Sequence, residues 1–300
     1  VMKNFNAGHY KLDMGDGTIM EYMPARRFSI PVNKENVLKS GILDEKYADR
    51  IPDEIVLTMP KGKQYITKPE LFMLDLLSNY QWDRPINLLS MGGDINIGIK
   101  EYLMYDGFSF RIVPIRNKMS SREIGFADPE DLYEKMTGVF KWDALKRGDY
   151  FVDYQNFYTF CGVLSQRLLF VNVAKEMLKI GDKERAVEML DMCQECVPEA
   201  NFPLDITYMG FSNEYMVVDM IETYYLADEP DKALELAERF SDQLFDSLYF
   251  FLQYYDFAKR EFESCYNNLQ YIAELAEHHG HKELSDSING RFESLMETAE

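Results

Sequence analysis

Residues 181–198, GDKERAVEMLDMCQECVP, decide how the rest of the chain is read. The stretch contains Cys193-x-x-Cys196, the spacing of a redox pair or of half a zinc site, yet it also scans as one amphipathic helix. Its apolar positions are Ala186, Met189, Leu190, Cys193 and Val197, which share one face at 3.6 residues per turn. Gly181 stands where a preceding helix would stop in the left-handed region, and Pro198 ends this one. A redox pair belongs at a helix start, where the dipole lowers the thiol pKa. These two cysteines sit near a helix end. A zinc site needs a second pair, or histidines at close spacing, and the neighbouring sequence supplies neither.

The same increments return 47 residues later in EPDKALELAERFSDQLF (229–245), on Ala233, Leu236, Ala237, Phe240 and Leu244. Pro230 takes a first-turn position there. In this alignment Cys193 falls in the slot of Phe240, a core position. Cys196 falls opposite Gln243, at the edge of the face. A looser copy runs through Cys265, Leu269, Ile272 and Ala276, and a capping helix through Leu284, Ile288, Phe292 and Leu295. Upstream, FCGVLSQRLLFVNVAKEMLKIG places Leu164, Leu168, Val171 and Leu178 on one stripe. Small-then-large apolar residues at fixed spacing let stacked helix pairs bury a common core. From about Phe157 onward the chain therefore reads as a tetratricopeptide-like array of helical hairpins.

The first half is mixed. Strands are expected in TIMEYM, RFSIPV, RPINLLS and FSFRIVPI, the third as a continuous buried run and the last alternating Phe108, Phe110 and Ile112. Helices are expected in KENVLKSGIL, in TKPELFMLDLLSNY with a Thr67/Glu70 capping box, and in DPEDLYEKM with Asp128 as cap. The fold class is α+β: a mixed α/β subdomain over residues 1–150, then an all-α helical-repeat domain over 151–300.

Composition excludes several function classes. The 300 residues carry 51 acidic against 32 basic side chains, a formal charge of −19, which repels phosphate backbones and anionic lipid; nucleic acid is not an expected partner. Apolar runs such as LLFV (168–171) fall far short of the ~20 residues that span a bilayer, so direct membrane insertion is not expected. The chain opens VMKNF, with no initiator Met, and reads as part of something longer. Four scattered cysteines do not make a disulfide scaffold.

Each candidate for chemistry has a plainer reading beside it. SMGGDINIG (90–98) has neither the following Lys-Ser/Thr nor the Gly-x-Gly-x-x-Gly spacing of a phosphate loop and reads as a turn. HHGH (278–281) reads as a solvated helix end whose histidines favour the C-terminal dipole. In NYQWDRPI, Arg84 beside Trp82 can grip a carboxylate or stack on a sugar face, or Arg84 can pair with Asp83 to close a helix-to-strand turn. The repeats are rich in Tyr and Phe, as in SLYFFLQYYDF (247–257), which suits a groove for extended peptide as well as packing. No nucleophile signature appears, so no catalytic residue, metal ligand or cofactor is assigned.

Three segments, LFMLDLLSNYQWDRPINLLS (71–90), YLMYDGFSFRIVPI (102–115) and FKWDAL (140–145) with AKEMLKIGDKERAVEMLDMCQECVPEANFP (174–203), resemble the C-terminal soluble region of the DUF2723 family. These are large multi-spanning membrane proteins frequent in Bacteroidetes. The resemblance runs from about residue 30 to 255. Its most specific parts are Trp82, Arg84, Pro85 and Ile86, then Tyr105 or Tyr102, Gly107, Arg111, Val113, Pro114 and Ile115. It implies a role in protein O-glycosylation, beside a membrane half similar to protein O-mannosyltransferases that use a polyprenyl-phosphate sugar. The acidic catalytic residue of that family lies between membrane helices, so it maps onto no position here. The implied role is a non-catalytic domain on the periplasmic face of the inner membrane. Its partners would be acceptor polypeptide or the membrane half of its own parent chain, with Trp82, Arg84, Tyr105 and Arg111 as candidate binding residues. The alternative is a stand-alone soluble interaction module with no part in glycosylation; a soluble enzyme comes third.

Overall fold

The computed structural model describes residues 1–89, 95–117, 126–147, 153, 165–205, 207–208 and 211–299. The chain divides into two compact units, Val1–Asp128 and Pro129–Glu300. The expected junction at 150/151 lies outside the described residues, as do Cys161, Leu164 and residues 90–94 of the glycine-rich stretch.

The first unit begins with a short helix, α1 (Met2–Asn6), and an exposed antiparallel ribbon of β1 (Lys11–Asp13) with β2 (Ile19–Glu21). Next, β3 (Arg27–Pro31) pairs antiparallel with β4 (Glu54–Thr58), Ile30 opposite Ile55 and Phe28 opposite Leu57. All four side chains are buried, so alternation at period two supplies one wall of the core. Between the strands lies α2 (Lys34–Lys39), capped where the Asn33 side chain accepts from the Asn36 backbone N–H. The helix α3 (Lys68–Ser78) opens with both halves of the capping box between Thr67 and Glu70, and it buries Met73, Leu74 and Leu77.

A four-stranded sheet follows. It comprises β5 (Asn87–Leu88), β6 (Leu103–Tyr105), β7 (Phe110–Ile112) and β8 (Phe126–Ala127), in the order β5-β7-β6-β8. Only the β6–β8 pairing is parallel. The run RPINLLS is not a buried strand. It contributes two residues at the sheet edge, with Ile86 and Leu88 half-buried and Leu89 82% exposed. An apolar run at an edge has one face to cover, and the alternate residues remain in solvent.

Gly98 links the two sheets. Its φ is +86°, and a Cβ there would stand 2.7 Å from the Thr58 carbonyl oxygen and 2.8 Å from the Thr58 nitrogen. Only glycine permits both the left-handed backbone and this approach to β4.

The second unit starts with α4 (Pro129–Glu134), a π-helical turn (Lys135–Val139) and α5 (Asp143–Lys146). Among the described residues six longer helices then form the array: α6 (Ser165–Lys179), α7 (Lys183–Cys196), α8 (Asn213–Leu226), α9 (Pro230–Gln253), α10 (Tyr255–His278) and α11 (Lys282–Ala299). Helix α6 packs on α7, α8 on α9, α9 on α10 and α10 on α11; α8 also touches α6 and α10. This is the nearest-neighbour pattern of a helical-hairpin array. The fold is therefore α+β, small sheets followed by helices.

Three of the helix–helix turns use one device. Gly181, Asp228 and Gly280 have φ of +81°, +65° and +86°. The next residue's N–H reaches back to the carbonyl five residues earlier: Asp182 to Met177, Glu229 to Tyr224, His281 to Ala276. Asp228 occupies the slot of Gly181, 47 residues on, so the turn repeats although the residue does not.

The repeat positions Ala186, Met189, Leu190, Cys193, Val197, Ala233, Leu236, Ala237, Phe240 and Leu244 are all buried, as are Cys265, Leu269, Ile272 and Ala276. The stripe read on α6 is displaced. Val171 is buried, but Leu168 and Leu178 are half-buried; Phe170, Val173, Ala174 and Met177 carry the core. Helix α6 packs against α4, α7 and α8 together, so its apolar face is broader than one stripe. Among the described residues no helix is long and apolar enough to cross a membrane.

Candidate functional site

Trp82 lies in the turn after α3, fully buried, with φ +58°, a backbone conformation that costs a bulky residue strain. Its burial and three tethers hold that conformation. The indole Nε1–H donates to the Pro31 carbonyl at 2.8 Å, and the ring centroid is 4.6 Å from that of Tyr80. The Ser40 hydroxyl donates to the Trp82 carbonyl at 3.1 Å. Burial pushes the Tyr80 phenol up to about 12, helped by nearby Asp83, and its OH donates to the Arg84 carbonyl. Arg84 itself is exposed, and its guanidinium has no ion-pair partner among the described residues.

Arg111 stands on β7 opposite Met104. It pairs with Asp106 at 2.7 Å and donates to the Gly41 carbonyl at 3.1 Å, tying the sheet to the loop after α2. Tyr105 is buried and faces Phe110, ring centroids 5.4 Å apart. Since facing residues share a side of the sheet, Tyr105 and Arg111 point to opposite faces. The structure thus gathers Trp82, Arg84 and Arg111 around Tyr80 and sets Tyr105 apart. Of the four, Arg84 has the solvent-facing charged head.

In the helical unit Cys193 and Cys196 are both inaccessible and both free. Burial pushes the Cys193 thiol up to about 12 and the Cys196 thiol to about 11. Cys196 is not at an edge. Helix α5 covers it, anchored where Lys146 meets Glu195 at 2.8 Å. Among the described residues no group of three or more His, Cys, Asp or Glu is arranged to hold a metal ion. His279 caps α10 and stacks on Tyr225, ring centroids 4.0 Å apart and 7° from parallel. Burial and then the adjacent His278 and His281 lower its pKa. The ring therefore serves that helix end by stacking on Tyr225.

Beside Cys193 lies a cavity that apolar spacing does not reveal. It has a volume of about 250 Å³ and is lined by Arg167, Cys193, Gln194, Glu199 and Arg239, with Val197, Leu204, Met220 and Leu236 as its apolar wall. Arg167 is 2% exposed. Its guanidinium donates to the carbonyls of Pro203 at 3.0 Å, Val197 at 3.3 Å and Phe202, and burial lowers its pKa to about 10. Glu199 is engaged by Arg239 on one oxygen and by Gln243 at 3.0 Å on the other. Arg239 also donates to the Gln194 side chain at 2.7 Å, and its buried Nε has no hydrogen-bond partner. The signal for Arg167 was present in SQRLLFV: an arginine four and seven residues before Val171 and Ala174, on the buried side of the helix.

A second surface lies at the α9–α10 turn. Tyr249, Phe250, Tyr254, Tyr255 and Phe257 are exposed, Phe257 at 93%. Ring contacts run from Tyr249 through Phe245, Phe292, Tyr266 and Phe262 to Tyr255, so the exposed rings rest on a packed aromatic ladder.

Residues 1–131 match the family model described as TMEM260-associated domain 2. The match takes in the whole of the first unit. No curated protein and no solved structure matches the chain.

Proposed function

We propose that this chain is a non-catalytic, extracytoplasmic domain of a membrane-embedded protein resembling a protein O-glycosyltransferase, with its helical array binding or positioning acceptor polypeptide. The observation that carries polypeptide binding is the row of exposed rings Tyr249, Phe250, Tyr254, Tyr255 and Phe257. Large exposed apolar surface on a folded domain marks a contact site, and aromatic rings supply much contact area for little conformational entropy. The link to a membrane protein is supported by the match to a TMEM260-associated domain and by the likeness of residues 71–90 and 102–115 to the DUF2723 family. A periplasmic location follows from that likeness. In this reading the first unit is a scaffold, and Arg84 is the candidate binding residue on it whose charged head faces solvent.

Two measurements test the proposal. The parent gene is expected to encode long apolar segments in the same chain; a gene without them leaves a stand-alone interaction module. Calorimetry with unfolded Ser/Thr-containing peptides is expected to show heat that Phe250→Ala with Phe257→Ala removes. Absence of heat with the unaltered protein defeats the polypeptide reading.

A further inference from the structure

We infer that the polypeptide met by the exposed rings at the end of α9 is a cationic one, held by an arginine seated against Asp246 and Tyr249. This rests on the polypeptide reading above and adds the chemistry of the occupant. Charge is unevenly spread along the chain. The first unit carries 17 acidic and 17 basic side chains, so the whole formal charge of −19 lies on the second, 34 against 15. Part of that excess is ordered. Asp231, Glu235, Glu238, Asp242 and Asp246 follow one another on α9 at intervals of 4, 3, 4 and 4, which sets them on a single face, and all five are exposed. Tyr249 continues the line, with Phe250 beside it. Two of the five acids are matched within the unit, Asp242 by Arg291 at 2.6 Å and Glu235 by Arg239 at 3.9 Å. Lys232 is taken by Asp191. Asp231, Glu238 and Asp246 have no ion-pair partner among the described residues. In the turn beyond, Lys259 and Arg260 are offset by Asp256, Glu261 and Glu263, so they do not cancel the stripe. The helix dipole accounts for Asp231, in the first turn of α9, and offers Glu238 and Asp246 nothing.

The unit already holds one guanidinium in the manner assigned to the partner. Arg291 pairs with Asp242, and its guanidinium lies over the Phe245 ring, 3.7 Å from the centroid. That acid and that ring stand three residues apart on α9. One turn on, Asp246 and Tyr249 repeat the spacing, both of them exposed. A carboxylate beside a ring face suits arginine, whose flat cation stacks and donates in one pose. The length of the stripe calls for a chain and not a small amine. From Asp231 to Asp246 the helix rises about 22 Å at ~1.5 Å per residue, which about seven residues of extended polypeptide cover. Basic side chains at alternate positions of such a segment lie along the acids, and its apolar residues meet Phe250 and the rings that follow.

The test is calorimetric titration of the whole chain with three Ser/Thr-containing peptides of one apolar pattern, carrying arginine, glutamine or glutamate at the same alternate positions. The arginine peptide is expected to bind about ten-fold tighter than the glutamine peptide, and the glutamate peptide most weakly. The advantage of arginine is expected to shrink as salt rises from about 50 to about 500 mM. Glu238→Gln with Asp246→Asn is expected to cut that advantage about five-fold. It should leave the glutamine peptide and the thermal midpoint of the free protein unchanged, because neither acid holds a partner within the fold. Phe250→Ala with Phe257→Ala is expected to weaken all three peptides. Equal binding of the three overturns the inference and leaves the polypeptide reading standing. Binding of none removes that reading, and this inference with it. A preference for arginine that survives Glu238→Gln with Asp246→Asn also overturns it, because the cation would then be read elsewhere on the molecule.

Discussion

Trp82 in the first unit and Phe240 in the second are both fully buried, yet what surrounds them differs in kind. Around Trp82 the ties come from far along the chain: Pro31 to its indole, Ser40 to its carbonyl, and Asn36 to the adjacent Gln81 carbonyl at 2.8 Å. Elsewhere in that unit Arg111 reaches Gly41, the Tyr102 hydroxyl bonds both backbone groups of Val56, and Glu70 holds the Asn96 N–H. Phe240 stands on α9, which packs on α8, α10 and α11, helices adjacent in the chain or one removed. The first unit is a mesh of side-chain-to-backbone tethers between distant segments. The second is chiefly a stack in which each helix packs on its neighbours, with Arg167 tying α6 to the 197–203 loop. In a mesh, one broken tie releases several segments; in a stack, damage stays local.

The largest effect that tests this contrast is a pair of truncations. Trp82→Ala and Phe240→Ala are each expected to cost about 4 kcal/mol, so stability alone does not separate them. Hydrogen exchange does. Trp82→Ala is expected to raise exchange across β3, β4, α2 and α3 together, whereas Phe240→Ala raises it in α7 to α10 and leaves α11 less affected. Confined exchange after Trp82→Ala would break the comparison.

That same difference explains what could be read in advance. Apolar spacing reports on a helix face, and in the stack the face is nearly the whole story. The residues from Ala186 to Val197 and their copies from Ala233 to Leu244 are buried as their spacing implied. The capping box of α3 was equally legible because it is local. What spacing cannot report is which distant carbonyl a side chain will meet. Trp82 and Arg111 could thus be singled out as unusual, but not recognised as ties to Pro31 and Gly41. RPINLLS misled because an edge strand and a buried one share the same run of apolar residues. The role of Arg167 is not legible in its own helix, because its acceptors, Val197, Phe202 and Pro203, lie 30 or more residues downstream.

Gly98→Ala sharpens the contrast from the backbone side. The new methyl group would meet the Thr58 backbone at 2.7 and 2.8 Å with φ at +86°. Neither neighbour is a flexible side-chain end, so the substitution is expected to cost about 3 kcal/mol, the upper end of backbone strain. Gly181→Ala in the stack has nothing within 4 Å of the added atom. Only the left-handed backbone opposes it, at about 1 kcal/mol. Denaturant midpoints of the two variants give the comparison; equal shifts would mean the contact at Thr58 relaxes freely.

Glu70 provides the pH test. Burial alone would raise its pKa, but the Thr67 N–H, Lys63 at 2.9 Å and the Asn96 N–H outweigh burial and hold it below the usual 4.5. A carboxylate lowered on folding stabilises the native state above its unfolded pKa, and that contribution disappears as pH falls through the folded value. Glu70→Gln is therefore expected to lose about 2 kcal/mol at neutral pH, the scale of a charge-assisted hydrogen bond. Its stability should then fall less than that of the unaltered protein on acidification below about 4.5. Thermal melts from pH 7 to 3 measure both. A parallel decline in the two proteins would remove Glu70 from the mesh.

The smallest effect concerns the cysteines of the stack. If Cys193 is one more core position, its sulfur contributes by packing alone, and Cys193→Ala should cost about 1 kcal/mol for the apolar surface lost. Its chemistry is muted for the same reason. With the Cys193 and Cys196 thiols pushed by burial to about 12 and about 11, almost none is thiolate at pH 8, and thiolate is the reactive form. Iodoacetamide at pH 8 should leave both unmodified in the folded protein and label both in denaturant, with mass spectrometry reading each site. Rapid labelling of Cys193 in the folded state would mean that the α7–α9 layer opens readily. The stack would then be the looser of the two units at its own centre, and the assignment of Phe240 and Cys193 to equivalent core slots would fail with it.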